Sequence, residues 1–485
     1  MTMEARGAAE DPSSRENPLY ATRQKVYPRR VKGPIRRIKW IVLAACLAIY
    51  YVAPWLRWDR GPGRPDQAFL MDMPGRRAYF LGLEIWPQEV YYIAGLLILG
   101  AIGLFFVTSL FGRVWCGFTC PQTVWTDLFM WAERLVEGDR MARQRLDQQP
   151  WTAGKLAKKL VKHAVWLVIA AATGGAWIMY FNDAPTVTWN LLTLQASTTV
   201  FFFFGLFTAT TYLLAGWARE QVCTYMCPWP RFQSAMVDEE TLTVSYRGWR
   251  GEPRGRHHKG ATWEGRGDCV DCHACVAVCP TGIDIRDGLQ LECIGCGLCI
   301  DACNEIMDGV GRPRGLIAFD TAANRIAHER GATAHPRLIR PRTVVYAMVM
   351  AIAAGIMLTT LLTRATAALT ILAERSPLFV RLSDGSIRNS YVVKIQNKIP
   401  AERSFVLTAE GAPFALLQIA EGEGAPVPAG AGSILKVGPD SVGTFHAYLH
   451  LDRPSQPEMP VTFVARALEG GETVTYHATF RSPEK

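Results

Sequence analysis

Hydrophobic positions along this chain follow two patterns. Five long unbroken runs, roughly Trp40–Leu56, Val90–Phe111, Leu160–Phe181, Thr198–Trp217 and Thr343–Leu362, occupy the first three quarters. Each is about the 17–25 residues that a membrane-crossing helix needs. Trp40, Tyr50, Tyr51, Trp55, Tyr91, Tyr180, Trp189 and Trp217 lie at their ends, as interfacial aromatics do. Five such runs predict a membrane domain rather than a set of buried core helices. Thr173–Gly175 predicts a bend in the third. The first run follows a long basic segment and precedes no small-residue cleavage site, so it reads as a retained anchor. After Glu374 the runs shorten to Ser390–Lys398, Ser404–Ala409, Gly443–Leu451 and Val461–Ala467, divided by Gly, Pro and Asp. That rhythm predicts an all-β sandwich. The sandwich has no cysteine, and His446, His450 and His477 are its candidate metal ligands. A binding or scaffolding module is the simpler reading.

Charge sets the expected orientation. Arg23, Lys25, Arg29, Arg30, Lys32, Arg36, Arg37 and Lys39 precede the first run. Arg113, Arg134, Arg140, Arg143, Arg145, Lys155, Lys158 and Lys159 follow the second, the connection 182–197 has no Lys or Arg, and 218–342 is strongly basic. The positive-inside rule then puts the N-terminus, the 112–159 loop and 218–342 in the cytoplasm. Five spans put the C-terminal domain outside. The loop 57–89 mixes arginines with Asp59, Asp66, Asp72 and Glu84 and constrains the topology least. These flanks account for the net charge of +9, so no nucleic-acid partner is inferred.

Of the 13 cysteines, Cys46 alone stands apart, inside the first run, where it reads as a small core hydrophobe. The rest fall in segments assigned to the cytoplasm. That compartment is reducing, so metal or redox work is expected rather than disulfides. CVDCHACVAVCP at 269–280 and CIGCGLCIDAC at 293–303 are C-x2-C-x2-C-x3-C, twice. In such a pair three thiolates of one run hold a [4Fe–4S] cluster and the fourth crosses to the other. One cluster is thus expected on Cys269, Cys272, Cys275 and Cys303, the second on Cys293, Cys296, Cys299 and Cys279. Zinc is the alternative, but its sites usually take two pairs of ligands. His273 is read as flanking a cluster, not as a ligand.

The remaining four cysteines form a repeat: a span, an arginine (Arg113; Arg219), then C-x3-C-P. The motifs are Cys116-Gly-Phe-Thr-Cys120-Pro121 and Cys223-Thr-Tyr-Met-Cys227-Pro228. Both follow spans running outside to inside, so both emerge at one face and can form one four-thiol site beside the ferredoxin segment. Pro121 opens an amphipathic stretch, which makes Cys120 a helix N-cap with an expected low thiol pKa. Two inert buried pairs, with prolines that merely end the spans, are the alternative.

The fold class is therefore a polytopic α-helical membrane domain of five spans with an inserted ferredoxin-like two-cluster domain and a C-terminal all-β domain. The expected parts are a mobile basic cytoplasmic arm (1–39), four spans with the first C-x3-C-P (40–217), a cytoplasmic segment with the second C-x3-C-P and the clusters (218–342), a fifth span (343–362) and a periplasmic β domain (375–485).

The five spans, both C-x3-C-P motifs, CPTGIDIRDGLQLECIGC, GRPRGLI and DGSIRNSYVVKIQNK together resemble the cytochrome c oxidase accessory protein family known as CcoG, FixG or RdxA. Two departures from two-cluster ferredoxins, Asn304 in place of a second proline and a short 280–292 connection, touch no ligand. The resemblance implies a bacterial inner-membrane protein with an immunoglobulin-like C-terminal domain. It also implies a cupric reductase, an oxidoreductase that makes Cu(I) for the copper centre of cbb(3)-type cytochrome c oxidase. Partners would be that oxidase's copper-delivery and assembly factors. In the family the reduction is associated with the C-x3-C-P cysteines, here Cys116, Cys120, Cys223 and Cys227. Soft thiolates, with Met226 as a candidate thioether ligand, favour Cu(I) over Cu(II). Copper would be the substrate and two [4Fe–4S] clusters the cofactors. A quinol-linked electron relay and a non-catalytic assembly scaffold remain alternatives. No flavin or nicotinamide motif identifies the electron donor.

Overall fold

The computed structural model describes residues 25–483, except 62, 259, 261, 333–335, 400, 412–415, 420–426, 453 and 455. Arg23 thus lies outside the described residues. The chain divides into two units between Gly355 and Ile356.

In the first unit, four helices are long and apolar enough to cross a membrane: Pro34–Trp55, Pro87–Phe111, Ala153–Met179 and Thr198–Ala218. A fifth, Pro341–Leu362, runs across the division. The first starts six residues earlier than its apolar run. Pro34 suits a first helical position, and Asp301 accepts from the start amides of Ile35 (3.3 Å) and Arg36 (2.7 Å). The third is one continuous helix through Thr173–Gly175. Those small residues serve close approach. A Cβ on Gly174 would stand 2.7 Å from Thr208 Oγ1 and 2.9 Å from its amide nitrogen on the fourth helix. The fourth helix widens into a π turn at Tyr212–Ala218 and ends at Arg219, whose φ is 46°.

Residues 25–33 are fastened rather than mobile. Lys25 and Tyr27 bond Asp147 (2.6 and 2.7 Å), the Arg29 amide donates to the Ala277 carbonyl (2.7 Å) and the Arg30 amide to Asp139 (3.0 Å). Between the first two spans, β1 (Phe69–Asp72), β2 (Arg77–Phe80) and β3 (Leu83–Ile85) form a small antiparallel sheet. In the cysteine-rich segment, β4 (Thr243–Tyr246) pairs with β5 (Ile317–Asp320), beside the helices Ala274–Val278 and Leu298–Gly309.

Charges buried between helices are matched. Glu133 receives Arg143 and Arg219 at 2.9 Å each, with Lys162 at 4.0 Å. Asp127 receives Arg36 at 2.7 Å and Lys39 at 3.4 Å. Arg219 also donates to the Gly216 carbonyl (2.8 Å), which ties the π turn to the carboxylate.

The second unit is a sandwich of antiparallel strands. They are β6 (Ala367–Ala373), β7 (Val380–Arg381), β8 (Ile387–Asn397), β9 (Arg403–Glu410), β10 (Leu416–Ile419), β11 (Val427–Pro428), β12 (Ser433–Val437), β13 (Ser441–Leu451), β14 (Glu458–Ala467) and β15 (Thr473–Arg481). One sheet has the order β11-β10-β13-β8-β6, with β7 also on β8; the other is β12-β9-β14-β15. Their inward residues, including Val393, Ile395, Phe405, Leu407 and Phe463, are fully buried. The first strand begins at Ala367, not 375. Its apolar sequence AALTILA follows the last span closely enough to hide the boundary. His446 and His450 stand on β13 and His477 on β15, in different sheets. They do not gather as a metal site.

Glu133→Gln keeps the side-chain shape but leaves buried Arg143 and Arg219 short of their counter-charge, while Lys162 keeps Glu137 at 3.1 Å. Breaking such a network should cost about 3–5 kcal/mol, read by chemical denaturation in detergent. A loss below about 0.5 kcal/mol, the scale of a surface substitution, would mean the cluster is not a stabilising element.

Candidate redox site

The eight cysteines of the two runs divide between two small cavities. Cys269, Cys272, Cys275 and Cys303 line one. Cys279, Cys293, Cys296 and Cys299 line the other, which Cys275 also borders. The fourth cysteine of each run therefore stands in the cavity of the other. Among the described residues, no three His, Cys, Asp or Glu side chains are close enough to hold a single metal ion. Two pockets lined by four cysteines each suit cubanes, whose thiolates sit at four separate corners. Burial pushes the Cys275 thiol up to about 11, and those of Cys293 and Cys303 up to about 12. Walls this dry would hold four thiolates only around a compensating positive centre, which cluster iron supplies.

The turns that carry the ligands are tight. Asp271 and His273 both have φ 53°, and Gly295 has φ 67°. His273 borders the first cavity and shares a 2.8 Å hydrogen bond with Arg286. Arg286 also pairs with Asp271 and Asp284 at 2.5 Å. It borders the Cys275 cavity as its cation.

The first C-x3-C-P motif packs directly on the second cavity. Cys116 and Gly117 lie in the short helix Val114–Phe118, and Cys120 caps the helix Pro121–Glu137. A Cβ on Gly117 would stand 2.8 Å from the Cα and N of Cys296 and 2.9 Å from the Ile294 carbonyl. From the other side, a Cβ on Gly295 would meet the Arg113 carbonyl group at 3.1 Å. Cys116 shares an apolar core with Ile294, Cys296 and Leu298, against which Cys223, Trp229 and Cys299 also pack. Both motifs thus touch the elements that line the second cavity.

The second motif winds as a π turn, Val222–Met226, and Cys227 ends it. The thiols are electrostatic neighbours. Burial is the main cause pushing Cys116 up to about 11 and Cys223 up to about 12, and the other thiols of the set add to it. The expected low pKa of Cys120 is not found. Burial raises its thiol and outweighs the lowering by the start amides at Thr123 and Gln122. Among the described residues, the four thiols do not form a group that could hold one metal ion. Cys116 Sγ donates to Gln233 Oε1 at 3.1 Å, while Cys227 faces solvent. Met226 is 62% exposed, outside the packed core.

Gln233 carried no sequence signal, because a lone glutamine after a proline reads as surface. It is fully buried. Its carbonyl oxygen accepts from Cys116 and from Arg113 Nε (3.3 Å), and its amide donates to Thr108 (3.2 Å). Arg113 also donates to the Leu291 carbonyl, in the connection between the cysteine runs. A cavity of about 340 Å³ opens here, bordered by Phe111, Arg113, Ser234, Leu289, Leu291 and Cys293.

Comparison with known proteins decides the family. The nitrogen fixation protein FixG of Rhizobium meliloti (strain 1021) is 48% identical over 499 residues, covering 96% of this chain and 94% of FixG. The chain belongs to the FixG/RdxA family. Protein RdxA of Cereibacter sphaeroides is 49% identical over 443 residues (91% of this chain, 92% of RdxA), and RdxB of the same organism 49% over 426 residues (85% and 89%). Residues 218–322 match the family model described as a 4Fe-4S dicluster domain, and 93–138 one described as a 4Fe-4S binding domain. Residues 357–483 match the "IG-like fold at C-terminal of FixG". This member of the FixG/RdxA family is thus an iron–sulfur protein with an immunoglobulin-like C-terminal domain.

Gly117→Ala should disturb one cluster selectively. The added methyl meets backbone of the Ile294–Cys296 turn, which cannot swing aside as a side chain can. Electron paramagnetic resonance of the reduced protein should show one cluster signal weakened or shifted and the other unchanged. Two unaltered signals would mean that the turn relaxes freely.

Proposed function

We propose that the chain is a membrane-bound cupric reductase, in which electrons from two [4Fe–4S] clusters reach Cu(II) at Cys116, Cys120, Cys223 and Cys227. Cys269, Cys272, Cys275 and Cys303 would hold one cluster, and Cys279, Cys293, Cys296 and Cys299 the other. The observation that carries this reading is the packing of Cys116 and Cys223 in one core with Cys296 and Cys299. When bound, the clusters supply one-electron chemistry. This chain's residues do the rest. Cys227 and Met226 offer exposed soft sulfur to an arriving ion, and Cys116 and Cys223 stand toward the cluster loop. Thiolate ligation favours Cu(I), which makes reduction of bound Cu(II) easier. Each Cu(II) takes one electron, and the thiol protons displaced by the metal leave to water. Ligation by all four thiols requires Cys116 to release Gln233. The Cu(I) would go to the copper-delivery and assembly factors of a cbb(3)-type cytochrome c oxidase.

A quinol-linked relay is the second reading. The cavity beside Cys293 favours it, being lined mainly by apolar groups at the end of an apolar helix, with Arg113 as its cation. Its volume lies in the range of small-molecule sites.

The pair Cys223→Ser and Cys227→Ser should leave about eight irons per chain, the content of two cubanes, yet abolish reduction of added Cu(II), followed by a chromogenic Cu(I) chelator. A variant with intact clusters that still reduces copper at the wild-type rate would refute the thiol site and favour the quinol relay. About twelve irons in the wild type would instead put a third cubane on the C-x3-C-P thiols.

The proposed location is the bacterial inner membrane, with the cluster domain cytoplasmic and the β domain periplasmic, because Lys and Arg crowd the segments on one side. Reporter fusions after Gly255 and after Lys485 should report opposite compartments. The same compartment for both would overturn the five-span topology.

A further inference from the structure

The start of the first span borders a second, larger groove that takes no part in the redox site. Its volume is about 960 Å³. Five cations line it, Arg30, Lys32, Arg36, Arg37 and Arg134, and no carboxylate does. Among the described residues, no ion pair engages Arg30, Lys32, Arg37 or Arg134. Arg36 is spent on Asp127 through Nη1, yet its Nη2 is buried without a hydrogen-bond partner. The Arg134 Nε is likewise buried and unpaired. Buried guanidinium nitrogens are costly to leave unsatisfied. Asp127 holds Arg36 and Asp139 takes the Arg30 amide, but four like-charged side chains without a carboxylate ion pair call for an anion.

The lining of the groove says which anion. Below the cations its walls are Trp40, Ile41, Ala44, Trp131 and Leu135. Trp40, Ile41 and Ala44 belong to the first membrane-length helix, and Trp131 and Leu135 lie on the amphipathic helix beside it. Ile41 and Leu135 are well exposed, and Trp40 lies under the Arg36 guanidinium at 4.4 Å. Cations above apolar walls match a phosphate headgroup above acyl chains. A free phosphate would use the upper half alone.

We propose that this groove is a binding site for one anionic phospholipid, with its phosphate among Arg30, Lys32, Arg37 and Arg134 and its chains along Ile41, Ala44 and Leu135. The same helix start is capped by Asp301, which lies between the ligand residues Cys299 and Cys303. A lipid seated here would steady the junction between the first span and the cluster domain.

The test uses the full chain, purified in neutral detergent and examined by native mass spectrometry with added phosphatidylglycerol, phosphatidylcholine or inorganic phosphate. One phosphatidylglycerol should be retained and phosphatidylcholine should not, and excess inorganic phosphate should fail to displace it. In the variant Lys32→Gln, Arg37→Gln, Arg134→Gln, affinity should fall on the order of a hundredfold, since each basic residue near an anionic surface contributes roughly a factor of five. Cluster absorbance reports whether that variant folds. If it does not, Lys32→Arg with Arg37→Lys keeps the charge and should keep the lipid. Equal retention of both lipids, displacement by inorganic phosphate, or undiminished binding by the folded neutral variant would each overturn the proposal.

Discussion

The contact between Gly117 and the backbone of Cys296 governs this molecule. No side chain fits between the two turns, so the first C-x3-C-P motif and the second cysteine run are held at van der Waals distance. Much else serves to keep them there. Arg113, one turn before Cys116, reaches the Leu291 carbonyl in the connection between the cysteine runs. Asp301 reaches back to the start of the first membrane-length helix. The cysteine-rich segment is thereby fixed to the helices at several points.

Such a junction brings many polar groups out of water, and the sequence supplies partners for them one by one. Glu133 collects cations from three helices, and Asp127 collects two from the first span. A buried network of this kind adds little net stability over an apolar core, yet every partner removed is expensive. Such a network would serve to set register more than to add net stability. The π turn ending at Arg219 illustrates this: the arginine, held by Glu133 and the Gly216 carbonyl, fixes where the fourth helix stops and so where Cys223 begins.

The sequence made the outline legible because long apolar runs and cysteine spacing are strong local signals. All five membrane-length helices coincide with runs visible in hydropathy, and the crossing of Cys279 and Cys303 between cavities follows from spacing alone. The missed features depend on contacts distant in sequence. The small residues Thr173–Gly175 suggested a bend, but the neighbour that explains them, Thr208, is on another helix. Gln233 meets Cys116 across 117 residues of chain. The N-cap argument for Cys120 was sound locally, and its amides do act as expected; burial, which the helix start cannot reveal, reverses the sign. The boundary at Ala367 was lost for the opposite reason, since two apolar elements follow each other with no composition change.

The thiols themselves form a gradient. Cys116 is buried against the cluster loop, Cys120 and Cys223 are half-buried, and Cys227 is exposed beside an exposed Met226. Four equivalent ligands would make a storage site, in which the ion is equally enclosed from all sides. Under the proposed copper reduction, unequal exposure would divide the work, because the outer sulfurs meet the solvent and the inner ones would meet the electron source. Softness then supplies direction. Sulfur favours the reduced ion, so a metal that gains its electron is held by bonding rather than by charge and must be passed to another soft ligand to leave. In the proposed reaction, a site open on one side, with its exposed sulfurs at the rim, would present the reduced ion where such a ligand can reach it.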